Sequence, residues 1–409
     1  MLVAALGVLT ISLDAAVNIA LPAISRTFGV PATSIQWIVL TYVVTFAVAL
    51  IPAGRVADRV GHARVFRVGL ALTGAAHLLC GLAPAWPWLL GARVVQGLGA
   101  ALVMASAPAL VTLATEASRR GRALAWLGLA ASVGAVVGPL AGGLLMGALG
   151  WRIVYLGRLP LVALGLGLAR RLPGTGRVSA GAATAGGGVT RAPAGVLAGL
   201  DDPRAFLAAN AAHLLANAGL FAIWLLVPYY LIDWRGFPAG LGGLLFAVCP
   251  LAQACVTPLG GRLADRGLGR WLAPVALAVE ASGLWLTGRL GDGAAPISIA
   301  AALGLAGFGS GLFIVTNMHY VMGAVAAGQQ GVAGSLVALM RTGGIVLGAN
   351  VTTAVYAARL AAHASHGPAP AAALAFSDVF GVASAIATAA ALLSLTPPRA
   401  RRGGRAAPP

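Results

Sequence analysis

Uninterrupted apolar runs, each near the ~20 residues that cross a bilayer as a helix, recur from end to end of the chain. Short breaks bearing Arg, Gly or Pro separate them. The pattern predicts helical spans over 2–22, 35–53, 66–83, 87–113, 123–147, 153–169, 205–231, 239–260, 271–289, 296–322, 333–357 and 376–396. One stretch departs from it. Residues 172–203 are rich in Gly, Ala, Ser and Thr and lack bulky apolar periodicity, which predicts a flexible linker. The expected fold is an all-α polytopic membrane protein of about twelve helices. Its six-helix halves occupy 1–170 and 204–398, joined by a cytoplasmic linker at 171–203 and followed by a basic tail at 399–409.

Composition strengthens that reading. The 409 residues are 59% hydrophobic and only 9% charged, where a soluble domain carries about 25% charged residues. An ordinary soluble enzyme is thereby excluded. The net charge of +17 comes from 27 basic residues, all arginine, against 10 acids. In a soluble chain such a balance would point to nucleic acid. Here the arginines fall in the breaks between spans, where they set topology, and no nucleic-acid partner is expected.

Counted by alternate breaks, one side holds Arg55, Arg59, Arg64, Arg67, Arg119, Arg120, Arg122, Arg170, Arg171, Arg177, Arg191, Arg204, Arg262, Arg266, Arg270, Arg399, Arg401, Arg402 and Arg405. The other holds Arg26, Arg152, Arg235, Arg289 and Arg359. The bias places both termini and the linker in the cytoplasm of a cell carrying the protein in its cytoplasmic membrane. Cys80, Cys249 and Cys255 lie in or near apolar runs without metal-ligand spacing and read as packing residues. The first apolar run follows no basic n-region and contains Asp14, so it reads as a retained span. Neither a cofactor nor a metal is expected, and the chain is expected to act as a monomer.

An internal repeat defines the halves. Gly54-Arg55-Val56-Ala57-Asp58-Arg59 recurs as Gly261-Arg262-Leu263-Ala264-Asp265-Arg266, each copy following the second span of its half. Parallel duplication of six helices is a transporter architecture, with a substrate site between the halves near the midplane. With this repeat the chain resembles the major facilitator superfamily over nearly its whole length, and Gly54 to Arg64 resembles that family's signature loop. The resemblance implies a gate latch. There glycines such as Gly54 and Gly61 would permit a tight turn, and Asp58 would cap a helix and pair with Arg59 and Arg64. Gly261, Asp265 and Arg266 would serve the second half.

The fourth span carries Arg93-Val94-Val95-Gln96-Gly97-Leu98-Gly99, similar to the family's intramembrane arginine motif. A charge there costs at least ~2.5 kcal/mol and requires a cavity or a partner. Arg93 lies about 9 Å below the outer end of its span and Asp14 about 12 Å below that of the first span, which makes them a candidate pair. The segment Leu13-Asp14-Ala15-Ala16-Val17-Asn18-Ile19-Ala20-Leu21-Pro22 resembles the signature of the family's drug:proton antiporters. It lacks one residue between Asp and Asn and the usual Thr after the Asp. The shortened spacing puts Asp14 and Asn18 on one helix face. The proton occupancy of a carboxylate depends on its surroundings, which substrate or Arg93 would change between conformations, coupling a proton gradient to export. Alternatively, Asp14 only fixes helix packing. Gly134, Gly138, Pro139, Gly142 and Gly143 in the fifth span match the family's antiporter motif, where small residues let helix backbones approach and the proline bends the helix.

In the second half, Arg341-Thr342-Gly343-Gly344 resembles a region of the same branch, and Arg341 lies about 12 Å in from the cytoplasmic end of its span. It would hold an anionic group of the substrate, lock a gate, or pair structurally. Tyr42, Asn217, Gln253, Asn317 and His319, with Asn18, are candidates for the substrate cavity or for interhelical hydrogen bonds. Glu280, in the middle of the ninth span, is a candidate second proton site. His77 and His213 read as packing imidazoles, and Gly307, Gly309 and Gly311 as packing glycines rather than a dinucleotide loop. The reading as a whole is a proton-coupled exporter of small amphipathic compounds. A specific metabolite carrier is the alternative within transport. An intramembrane enzyme or a channel is disfavoured, because no nucleophile–base pair or His cluster occurs and duplicated latch loops imply gates on both sides.

Overall fold

The computed structural model describes residues 1–116, 119–170, 200, 202–264, 266, 269–325 and 330–395. Twelve helical segments emerge among them. They are α1 (Leu2–Phe28), α2 (Trp37–Val60), α3 (His62–Gly81), α4 (Trp86–Leu113), α5 (Arg120–Leu149), α6 (Ile153–Ala169), α7 (Pro203–Trp234), α8 (Ala239–Leu263), α9 (Gly269–Gly288), α10 (Pro296–Gly323), α11 (Gln330–Ala362) and α12 (Pro368–Ser394). Eleven are long and apolar enough to cross a bilayer, and α6 is a shorter apolar helix of 17 residues. The predicted linker and tail lie outside the described residues, apart from their margins.

Helix ends follow local chemistry. Prolines open α4, α10 and α12, where the missing N–H costs no hydrogen bond. The Asp202 carboxylate caps α7 by accepting from the amides of Arg204 and Ala205, both at 3.1 Å. Gly29 closes α1 at φ +63°, and Gly61 turns the chain between α2 and α3 at φ +96°. Several helices overrun their apolar runs. The second starts at Trp37 and continues to Val60, so Gly54 and Asp58 are helical and the turn falls at Gly61 alone. The last begins eight residues before the predicted span start, and Asp378 within it pairs with His363 (2.8 Å) and Arg359 (3.5 Å).

Each half repeats one packing scheme. In the first, α4 packs on α2 and α3, and α5 on α1; in the second, α10 packs on α8 and α9, and α11 on α7. The halves meet where α5 crosses α8 and, symmetrically, where α2 meets α11. Chain direction assigns the level of that meeting: it is the far face, reached by the ends of α1, α5 and α7. An apolar plug forms there from Leu21, Ile24 and Ile38 of the first half with Phe221, Leu225 and Ala349 of the second. Polar ties flank it. Arg26 pairs with Asp233, and the Thr353 hydroxyl donates to Gln36 Oε1 at 2.8 Å.

The α5–α8 crossing depends on absent side chains. A Cβ on Gly143 would stand 2.9 Å from Gly243 Cα and clash with the Ala239 carbonyl, and one on Gly243 would stand 3.0 Å from Gly143 Cα. Nothing comes within 4 Å of a Cβ on Gly147, one turn further along α5. Gly143→Val or Gly243→Val should therefore destabilise the protein by about 1–3 kcal/mol, as overpacking does. Gly147→Val should be neutral by comparison. Thermal unfolding of the three purified variants in detergent measures this, and equal melting temperatures would contradict it.

Candidate functional site

The first helix is not continuous. A 3-10 turn at Leu13–Ala15 interrupts it, and Asp14 sits in that turn. Three glycines of α5 make room for the irregular backbone. A Cβ on Gly134 would lie 3.0 Å from the Leu9 carbonyl oxygen, one on Gly138 3.0 Å from that of Leu13, and one on Gly142 2.9 Å from Ala16 Cβ. The small-residue motif of the fifth span thus presses α5 against the turn that presents Asp14, and its last glycine reaches the other half.

The Asp14 carboxylate is only 13% exposed and accepts four hydrogen bonds. Oδ1 accepts from Arg93 Nη1 (2.8 Å), Gln96 Nε2 (2.8 Å) and Arg158 Nη1 (2.9 Å), and Oδ2 accepts from Arg93 Nη2 (2.9 Å). The Arg93 contact is the bidentate fork that suits a guanidinium to a carboxylate. Arg93 also donates from Nε to the Ile38 carbonyl (2.9 Å) and from Nη1 to Gln96 Oε1 (2.8 Å), and its Cζ stands 4.5 Å from the Tyr42 ring centre. His77 Nε2 faces N–H donors from Gln96 (3.4 Å) and Arg158 (3.3 Å), so it acts as an acceptor. Five helices of the first half contribute, and the sixth, α5, supports the turn through backbone contact.

The network holds one carboxylate and two guanidiniums, and both arginines are buried, at 1% and 4% exposure. One positive charge is left over. Arg158 Nη2 is buried without a hydrogen-bond partner.

Sequence reasoning brought Asp14 to Arg93 but overlooked Arg158, and it read His77 as a packing imidazole without placing it beside the pair. Arg158 follows Gly157 within two turns of the start of α6, where an arginine reads as reaching back to the membrane surface. The signal that finds it is the arginine count: the two faces, Arg93 and Arg341 account for all but one of the 27. Asn18 does not hydrogen-bond Asp14. The 3-10 turn breaks the helical register, and Asn18 Nδ2 instead donates to the Ala15 carbonyl at 3.3 Å.

The signature loop also differs from expectation. Because α2 runs on to Val60, Asp58 lies on its last turn, 73% exposed, with His62 Nε2 at 3.5 Å as its partner. It neither caps α3, which has no side-chain cap, nor makes an ion pair with Arg59 or Arg64. In the second copy Gly261 is helical and Arg266 exposed, and Asp265 lies outside the described residues.

The cavity candidates scatter. Asn217 donates to the His213 carbonyl (2.7 Å), and its Cβ is what a side chain on Gly344 would strike. Gln253 packs through its backbone on Gly311, Asn317 is buried with Nδ2 unpartnered, and His319 is exposed near the end of α10. Tyr42 is half-buried beneath Arg93, and Arg341 is exposed in the middle of α11. Glu280 is fully buried with both carboxylate oxygens unpartnered, and its backbone lies against Gly309 of α10. Cys80 and Cys249 are buried free thiols, but Cys255 is exposed, contrary to a packing role.

A duplicated bundle of twelve helices, closed by an apolar plug at one face and carrying buried charge between its helices, is the architecture of a multi-pass membrane transporter. The chain belongs to the major facilitator superfamily, whose family model matches residues 3–349. It is 33% identical to the puromycin resistance protein pur8 of Streptomyces alboniger, over 93% of this chain and 86% of that one. With the multidrug resistance protein Stp of Mycobacterium tuberculosis it shares 31% identity, over 87% and 75% respectively. These relatives lie in the drug-efflux branch, and the family makes the chain a transporter rather than an enzyme. Among solved structures, a bacterial homolog of the human lysosomal transporter Spinster, inward-facing and unoccupied, has the same fold at a TM-score of 0.78. Identity there is 17%, with 96% of this chain and 94% of that one covered.

If Asp14 neutralises two guanidiniums, removing it should harm stability more than removing one of them. Asp14→Asn leaves two uncompensated buried cations, a loss of about 3–5 kcal/mol. Adding Arg158→Met should restore part of it, with a coupling of about 0.5–3 kcal/mol. A double-mutant cycle on melting temperature in detergent reads this, and strict additivity would show that Arg158 and Asp14 do not interact.

Proposed function

We propose that the protein is a proton-coupled exporter of small amphipathic compounds, working by alternating access in the cytoplasmic membrane. The observation that carries the coupling is the Asp14 carboxylate held at once by Arg93 of α4 and Arg158 of α6. Protonation of Asp14 removes the charge that both guanidiniums grip, which releases α1 from two neighbours together and loosens α5 behind it. Proton binding therefore biases how the first half is packed, and a bistable bundle turns that bias into a change of access. Relatives named for puromycin and multidrug resistance support export.

The arginine asymmetry supports cytoplasmic termini, which assigns the N-terminal face to the cytoplasm and the plugged far face to the outside. In this conformation Arg26–Asp233, Thr353–Gln36 and the Leu21–Phe221 plug form the closed outer gate. Arg93 and Gln96 position the carboxylate, and Tyr42 covers Arg93. The signature loops then act by helix-end contacts such as Asp58–His62, which are exposed and easily broken. Glu280 is fully buried with both carboxylate oxygens unpartnered, and it is a further candidate proton carrier.

The test uses proteoliposomes with an imposed pH gradient and a panel of cationic, neutral and anionic fluorescent amphipaths. The wild type should accumulate at least one of them against its gradient. Asp14→Asn should lose accumulation while keeping downhill exchange, because the carrier remains but the proton does no work. Full gradient-driven accumulation by Asp14→Asn would overturn the coupling assignment, and its loss in Glu280→Gln alone would transfer the role to Glu280.

A further inference from the structure

We propose that the transported compound carries an anionic group, of the carboxylate or sulfonate class, and that Arg341 is its counter-ion in the gap between the halves. The proposal rests on the transport reading above and adds the charge of the cargo.

Arg341 stands in the middle of α11 on the face it shares with Gly344 and Gly348. That face meets α7 so closely that a Cβ on either glycine would strike the backbone of Leu214 or Ala218. One turn nearer the far face, Ile345 and Val346 join the apolar plug. Arg341 is therefore placed just inside the closed end, on the side of α11 that faces the bundle interior. Groups within its electrostatic reach come from both halves, the Tyr42 hydroxyl of α2 and the His213 ring of α7. Unlike Arg93 and Arg158, which are sealed among helices, Arg341 is exposed. Its depth in the span and the Tyr42 hydroxyl of the opposite half within its reach place it at the space between the halves.

No carboxylate of the described residues serves it. Asp14 is taken by two guanidiniums, Asp233 by Arg26, Asp378 by Arg359 and His363, Asp58 by His62 and Glu116 by Arg119, while Asp202 caps α7 and Asp292 lies in the turn between α9 and α10. Glu280 is enclosed beside α10. The neighbouring network adds to the imbalance, because two guanidiniums on one carboxylate leave a positive charge on the other side of Tyr42. A guanidinium in a low-dielectric interior without a partner is costly and calls for an anion. Here the anion must arrive from outside the chain. A cationic amphipath would meet repulsion from Arg341 and from the uncompensated pair together. Tyr42, half-buried with its ring on Arg93, offers a hydroxyl beside the same space, and the apolar plug above supplies a surface for the rest of an amphipathic molecule.

Three probes of one fluorophore separate charge from apolar contact: dansylglycine, dansylglycinamide and dansylcadaverine, which are anionic, neutral and cationic. Binding to the purified full chain is measured in detergent and in phosphatidylcholine nanodiscs with or without phosphatidylglycerol. Dansylglycine should bind the wild type about tenfold tighter than the other two, the scale of one charge-assisted hydrogen bond. Arg341→Gln should lose that preference at an unchanged melting temperature, and Arg341→Lys should keep most of it. Equal binding of the three probes, a preference for dansylcadaverine, or an anion preference untouched by Arg341→Gln would overturn the proposal. Complete displacement of dansylglycine by phosphatidylglycerol would also overturn it, assigning the arginine to a lipid headgroup. Binding requires no transport, so the two readings fail separately. A wild type that binds the anion but moves nothing sinks export alone, and one that exports without any Arg341-dependent preference sinks only this inference.

Discussion

A carboxylate buried in an apolar bundle has to be surrounded by donors, and the packing of the first half follows from meeting that demand at Asp14. Four hydrogen bonds converge on its two oxygens. To deliver them, α1 gives up a regular turn, α4 commits Arg93 and Gln96 on one face, and α6 turns Arg158 inward. Displacing α1 in this way would leave a gap against α5 if α5 carried ordinary side chains. The glycines at 134, 138 and 142 close it with backbone instead. The apparent luxury of so many glycines in one span is thus the complement of a single acid in another.

Much of this was legible in the chain itself. Apolar runs of membrane-crossing length gave the helices, because in a bilayer the helix is the only open structure that satisfies its own backbone. The duplicated Gly-Arg-x-Ala-Asp-Arg segment located the halves. Depth arithmetic along two spans was enough to suggest that Asp14 and Arg93 meet. Hidden features depended on departures from ideal helices. Asn18, four residues past Asp14, follows a 3-10 turn and gives its amide to the Ala15 carbonyl rather than to the carboxylate. Asp58 would cap a following helix only if α2 ended with its apolar run, whereas the helix continues for two more turns. Arg158 looked like an interfacial residue because position along a span does not reveal which way a side chain points.

The two halves share a scaffold but not a chemistry. Counting from its first residue, the position of α10 equivalent to Arg93 in α4 is Leu303, which sits in an apolar core. The second half keeps its polar groups apart: Glu280 enclosed, Asn317 partly unsatisfied, Arg341 accessible. Duplication therefore supplied matched frames, after which one frame acquired a connected charge network and the other an isolated cation. Under the proposed coupling, such a division would separate the part that senses protonation from the part that meets cargo.

The glycine contact between α5 and α8 also has a mechanical meaning. Gly143 has about 9 Å of α5 beyond it toward the far face and about 35 Å toward the opposite face, at 1.5 Å per residue. Under the proposed alternating access, a rigid rotation of the halves about that point would work as an unequal lever. A displacement of about 1 Å at the short arm sweeps the long arm through about 4 Å, so a small yielding at the far-face end becomes a wide movement of the other mouth.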